Sequence, residues 1–192
     1  MKCKLILFLF SVLFISGLKA QILDSAQGED GNSGILYGDN HVYSLTAPKG
    51  WILDNRAGVS QGLHAVFYKT GSSWETGTTV MYTNYSTSAL GETVENTIEF
   101  DKNNFTKNYP GIEIKKEKDL IIDKGKLKAQ TYSYQGANYN NYEAVAYIPT
   151  KSGVALVVIT SRDKKDFDLN YLAFEKLVES FFWMTDKIEI NK

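Results

Sequence analysis

Cysteine is almost missing from this 192-residue chain: the one present, Cys3, stands at its very beginning. Disulfide staples and thiolate chemistry are thereby excluded from everything after it. With only two histidines, a zinc site built from histidine and cysteine is excluded as well. An excess of either charge is also lacking. The 21 basic and 22 acidic residues argue against a nucleic-acid binder that works through its overall field. Beyond the N-terminus no segment approaches the ~20 apolar residues that a membrane-spanning helix needs. What is present is 43% hydrophobic and 22% charged residues, the balance of a soluble globular protein.

The first twenty residues have the pattern of a removable export signal. Lys2 and Lys4 give a positive start, Leu5 to Ile15 is an almost unbroken apolar run, and Ser16 to Ala20 offers small residues before Gln21. A lipid-anchored precursor would need a cysteine at the far end of that run, and Cys3 is at the near end. Removing residues 1–20 takes away Lys2, Lys4 and Lys19 and leaves 18 basic against 22 acidic residues, a net charge of −4. The expectation is an exported protein, periplasmic or secreted. Residues 21–36, rich in glycine, serine and acids, read as a flexible tether. Residues 37–186 read as one domain and 187–192 as a short tail.

Along that domain the hydrophobic period changes twice. His41 to Ala47 alternates, with Tyr43, Leu45 and Ala47 on one face, which predicts a half-buried strand ending at Pro48. Further strands are predicted over Leu63 to Lys69 and Thr78 to Tyr85. From Thr93 to Tyr109 the period lengthens: Val94, Ile98, Phe105 and Tyr109 mark an amphipathic helix, with Glu92, Glu95 and Glu99 at its positive end and Pro110-Gly111 stopping it. Strands resume at Ile112 to Lys116, Leu120 to Ile122, Leu127 to Tyr134, Glu143 to Pro149 and Val154 to Thr160. The last is continuously apolar and reads as a central strand covered on both faces. Asp166 or Asp168 is expected to cap a final helix whose apolar face carries Phe167, Tyr171, Phe174, Leu177, Val178 and Phe181. This order predicts an α+β fold, an antiparallel sheet with helices packed on it.

Catalytic motifs are fragmentary. Gly58-Val59-Ser60-Gln61-Gly62 matches the G-x-S-x-G elbow, but a strand rather than a helix follows it, and the last histidine, His64, is only four residues on. Ser161-Arg162-Asp163-Lys164 and Lys69-Thr70-Gly71 match S-x-x-K and K-T-G in reversed order, without the S-D-N element between them. Asp163, Asp166 and Asp168 lack the glycine and terminal glutamate of a calcium loop and read as acids of a helix N-terminus. No catalytic residue, metal site or cofactor is assigned. Two features bear on binding. Six lysines (115, 116, 118, 124, 126 and 128) among four acids mark either a guarded edge strand or a surface for an anionic partner. Tyr132, Tyr134, Tyr139, Asn140 and Tyr142 crowd one turn, in a pairing common at contact surfaces. With Trp74 from a small-residue loop, they form the expected partner-binding set.

The order of elements and several short motifs resemble the PsbP/Mog1-like superfamily. Pro48-Lys49-Gly50-Trp51 is similar to its P-x-G-W opening, Gly153 to Thr160 resembles its late buried strand, and Phe174, Leu177-Val178 and Ser180-Phe181 are similar to its F-x-x-L-V-x-S-F ending. The resemblance spans roughly residues 40–184. It implies an α/β/α sandwich around a central antiparallel sheet. It also implies a non-enzymatic binding or accessory module that contacts another envelope or secreted protein. The alternatives are a small-ligand carrier with a cavity between sheet and helix, and a small serine hydrolase using Ser60.

Overall fold

The computed structural model describes residues 33–87, 93–136 and 138–187. The expected leader, Glu92 and most of the expected tether and tail lie outside them. Strands β1 (Ser33–Gly38) and β2 (His41–Thr46) open the chain. Then come β3 (Trp51–Asp54), β4 (Ala65–Lys69) and β5 (Thr79–Thr87). Helix α1 (Val94–Asn108) leads into β6 (Glu113–Lys116), β7 (Leu120–Ile122), β8 (Leu127–Gln135), β9 (Tyr142–Pro149) and β10 (Gly153–Ser161). Helix α2 (Lys164–Glu179) and β11 (Phe182–Thr185) close it.

An eight-stranded antiparallel sheet runs β3-β4-β5-β10-β9-β8-β6, with β7 paired on β8 beside that path. The apolar run that predicted a central strand is β10, hydrogen-bonded between β5 and β9. Its alternate residues serve two cores. Ala155, Val157 and Ile159 face α2, whereas Val154, Leu156 and Val158 face α1. β9 divides in the same way, Ala144, Ala146 and Ile148 to one side and Val145 and Tyr147 to the other. This two-sided burial, with one helix on each face, is the α/β/α sandwich.

The helices start and stop for local reasons. Thr93 caps α1 by accepting the Asn96 N–H. Asp163 caps α2 by accepting the Asp166 N–H at 2.7 Å, so the cap is neither Asp166 nor Asp168. Asp166 lies inside the first turn, where its carboxylate is bound by the Thr79 hydroxyl and by Lys69. Those contacts, the Thr79 hydrogen bond foremost, hold it below its ordinary range.

Three strands were not foreseen: β3, which takes up Trp51–Asp54 at one edge of the large sheet, and the two that flank β2. β1 begins at Ser33, four residues inside the expected tether, and pairs with β2. β11 follows α2 directly and pairs with the other side of β2, giving a three-stranded sheet β1-β2-β11. This small sheet shares the α2 side of the molecule: Leu36, Tyr43 and Leu45 join Phe174, Leu177 and Phe181 in one core. The Ser180-Phe181 end of the closing motif meets β2 here. Ser180 Oγ accepts the Thr46 N–H at 2.9 Å, and Phe181 stacks on Tyr43 with ring centres 5.2 Å apart.

Gly153 starts β10 where its backbone passes directly over β5. A Cβ there would run into the Ser86 carbonyl oxygen, so Gly153→Ala is expected to cost about 2–3 kcal/mol. Urea denaturation of the two proteins measures it.

Candidate functional site

The expected partner-binding residues do not form one surface. Tyr134 is fully buried, its ring stacked on Phe105 at 4.0 Å and its hydroxyl 2.7 Å from that of Tyr147. Trp74 is buried in a separate small core with Leu63, Val66 and Val80. Tyr139 packs edge-on against Phe105 and Tyr109 and donates to Glu143 at 3.0 Å. Tyr132 is half-buried, with the Lys102 ammonium 4.1 Å from its ring centre. Asn140 stands exposed at the turn in a left-handed conformation, φ 51°. Tyr142 lies on the opposite face of the sheet, near Phe167 of α2. Most of the tyrosine-rich turn is thus core chemistry for the α1 side.

That core holds an unusual polar set. Tyr147 donates to Asp101 at 2.8 Å, and Tyr134 and Tyr147 share a hydrogen bond. Glu143 lies beside them, buried, with the Tyr139 hydroxyl as donor. Burial, reinforced by the charge of Asp101, pushes the Glu143 carboxyl up to about 8. The acid is therefore protonated at neutral pH, which removes the cost of burying its charge.

Nor do the motif fragments assemble a catalytic site. Ser60 lies exposed in a 3-10 turn, Val59–Gln61, with β4 rather than a helix after it. No hydrogen bond joins Ser60 to His64, whose ring instead stacks on His41. The S-x-x-K and K-T-G fragments do converge, at a polar groove of about 450 Å³ lined by Lys69, Thr79, Asp163 and Asp166. The Ser161 hydroxyl there is buried and tied to Thr79 and to the Asp163 backbone, and Lys69 is paired with Asp166. Among the described residues no group of three or more histidine, aspartate and glutamate side chains is placed to hold a metal.

A second groove, about 290 Å³, lies between α2 and the β6-β8-β9 end of the large sheet, with Ser133, Tyr142, Phe167 and Tyr171 among its walls. Its charged groups are paired: Lys115 with Glu117 and Lys164 with Asp168. Four of the six lysines in the lysine-rich segment are likewise paired within it. Asp119 takes Lys128 at 2.9 Å and lies 3.9 Å from Lys116, and Asp123 faces Lys126. That pattern fits an edge strand guarded against stray pairing.

The small sheet is different. β1, β2 and β11 contain no lysine, arginine, aspartate or glutamate. Its inner face carries Leu36, Tyr43, Leu45 and Trp183 into the core. On its outer face Ile35 and Phe182 both lie opposite Ser44, and Tyr37 lies opposite Val42. Ile35, Phe182 and Met184 are 40%, 43% and 46% exposed. Sequence reasoning missed this face because both of its outer strands went unread. The available signal was Ile35-Leu36-Tyr37 within an otherwise polar stretch, and Phe182-Trp183-Met184 immediately after a helix.

An antiparallel α+β sandwich with one helix on each face and an uncharged accessory sheet is the class that the coordinates define. No family model matches the chain, and no curated protein matches it in sequence. Among solved structures it is similar to cyanobacterial PsbP (CyanoP) from Synechocystis sp. PCC 6803, at 16% identity and a TM-score of 0.49, over 80% of this chain and 93% of that one. It is also similar to a mutant of protein Mog1, at 10% identity and a TM-score of 0.46, over 87% of this chain and 96% of that one.

The Glu143 proton sets a pH dependence. In the unfolded chain this carboxyl ionises near its ordinary 4.5, while the folded protein keeps it protonated up to about 8. Folding therefore holds an extra proton across that window. Stability falls as pH rises from about 4.5 to 8, by at most about 1.4 kcal/mol per pH unit. Glu143→Gln, neutral throughout, is expected to gain on the parent across the same window and to show no further gain below it. Thermal melts from pH 4 to 9 give the difference.

Proposed function

We propose that this protein is an exported, non-enzymatic binding module that docks another envelope or secreted protein on the outer face of its three-stranded sheet. The observation that carries the reading is the absence of charge from β1, β2 and β11 beside exposed Ile35, Phe182 and Met184. Sheet edges are ordinarily blunted by charged side chains, and β6, at one edge of the large sheet, carries Glu113, Lys115 and Lys116. The small sheet has no such protection, and its outer strands are unpaired on their far sides among the described residues. Apolar area with free backbone groups beside it suits a strand-forming, apolar segment of a partner protein. Export rests on the leader pattern. No helix among the described residues is long and apolar enough to cross a membrane.

A small-ligand carrier is the second reading, and the groove between α2 and the β6-β8-β9 end of the large sheet is where it would act. At about 290 Å³ it lies just under the size of ordinary ligand pockets, and its charged groups already satisfy one another.

The test has two stages. A partner captured from the envelope fraction is identified and purified, and its affinity is measured for the parent, Phe182→Asp, Met184→Asp and Tyr142→Ala. The two aspartate variants are expected to weaken binding by about tenfold or more, while Tyr142→Ala stays within about twofold. Equal binding by all four proteins would overturn the contact face. Binding to zwitterionic lipid vesicles in place of any protein would overturn the partner class, and loss of the partner in Tyr142→Ala alone would move the site to the groove.

A further inference from the structure

Beneath the small sheet lies a column of stacked rings that joins it to the large one. His41, on β2, is 2% exposed. One face of its imidazole lies on Tyr85 of β5 at 3.7 Å, and His64, just before β4, stacks parallel to it at 5.2 Å. Trp183 of β11 continues the stack from Tyr85, with ring centres 6.4 Å apart. Gly38 presses on the His41 ring so closely that a Cβ would collide with it. These two are the chain's only histidines.

The hydrogen bonding around the pair is sparse and offers a ring proton no charged acceptor. Thr83 donates to the Leu156 carbonyl, and Tyr43 Oη lies 2.9 Å from Thr83 Oγ1 and 3.4 Å from His64 Nδ1. His41 Nδ1 faces the Asn40 amide oxygen at 3.4 Å, and its Nε2 is buried with no partner. The titratable neighbours are Tyr43 on β2 and Tyr85 on β5, both of which are neutral. The charged groups around the column are Asp39 in the β1–β2 turn, Asp186 just past β11, which acts on Tyr85, and Lys151 in the β9–β10 turn, which pairs with Asp186 at 2.9 Å. Among the described residues no carboxylate is paired with either ring.

We infer that the stacked His41–His64 pair is an acid-sensitive latch, whose protonation detaches β1, β2 and β11 from the β4–β5 end of the large sheet. Burial holds His64 down to about 4, and burial together with the charge of His64 holds His41 down to about 3. In a detached sheet both rings would meet water and take up protons near 6.5. The docked arrangement is thus fully stable above that pH and loses ground as pH falls toward the buried values. Detachment hydrates both imidazoles at once and leaves the α1 side untouched. As control over the contact face, the latch rests on the proposed docking role. As a structural event it does not, and it is tested without any partner.

Hydrogen exchange followed by mass spectrometry, corrected for the pH dependence of intrinsic exchange, reads the event directly. Between pH 7 and 4.5, peptides covering 33–46 and 182–185 are expected to lose protection by about tenfold or more, while 142–161 keeps theirs. Loss of all these peptides together, or of none, would overturn the latch. In the His41→Phe/His64→Phe protein, whose rings preserve the stack but cannot be charged, the opening is expected to vanish; opening at the parent's pH would overturn it. Should that protein not fold, the two imidazole resonances of the parent decide by NMR. Titration below pH 5 together with shifts of the β1, β2 and β11 amides supports the latch, and titration near 6.5 without them overturns it. A failed partner experiment leaves the exchange result unchanged, so the two failures are distinguishable.

Discussion

Burial of β9 and β10 on both faces is the constraint from which the architecture follows. A sheet whose central strands send apolar residues alternately up and down must be covered twice. A helix is about 10 Å wide and neighbouring strands are about 4.8 Å apart, so one helix covers only two or three strands. α1 does this over β9, with Tyr109, Tyr132 and Tyr139 extending its cover. α2 does it on the other side, but leaves the β4–β5 end to be covered by something else. The small sheet fills that place with Tyr43 and Leu45, and the Trp74 loop closes a corner of the opposite face. The accessory sheet is therefore part of the core's solution, and its outward face is what remains over.

Most of this was legible in the residues. The lengthened period from Thr93 to Tyr109 marked α1 to within a residue at each end, and the apolar run at Val154 correctly announced the central strand. The two strands beside β2 escaped notice because their local signal is outweighed by its surroundings. β1 lies in a stretch of glycine and serine, and β11 has four residues, too few to show a period. Their pairing with β2 depends on contacts made across the whole chain, which no local window contains. The cap of α2 was misplaced by three or five residues because aspartates at 163, 166 and 168 offer the same chemistry, and only backbone direction selects among them.

The contact residues were harder to read for a related reason. Tyrosine and asparagine around a turn have the composition of a binding surface, but composition does not say which face of a strand is outward. Register does. Tyr134 lies opposite Glu143, and Tyr132 opposite Val145, so both tyrosines point toward α1. There Tyr134 is a fully buried core ring, and its hydroxyl is satisfied by Tyr147. Polarity inside this protein is handled by such pairing, or by withholding charge altogether, as in the protonated Glu143 and the neutral histidines. Charge on the surface is spent in short local pairs of little energetic weight.

β2 is hydrogen-bonded on one side to the first described strand and on the other to the last, and Thr46 meets Ser180 across 134 positions. Such a sheet cannot close until nearly the whole chain is available. During synthesis it is the final piece to form, after the hairpins from β8 to β10 have paired with their sequence neighbours. Contacts made that late belong to the barrier against unfolding more than to the speed of folding. The small sheet therefore acts as a clasp on the finished molecule: it bears on how long the protein lasts once made, and hardly on how quickly it is made.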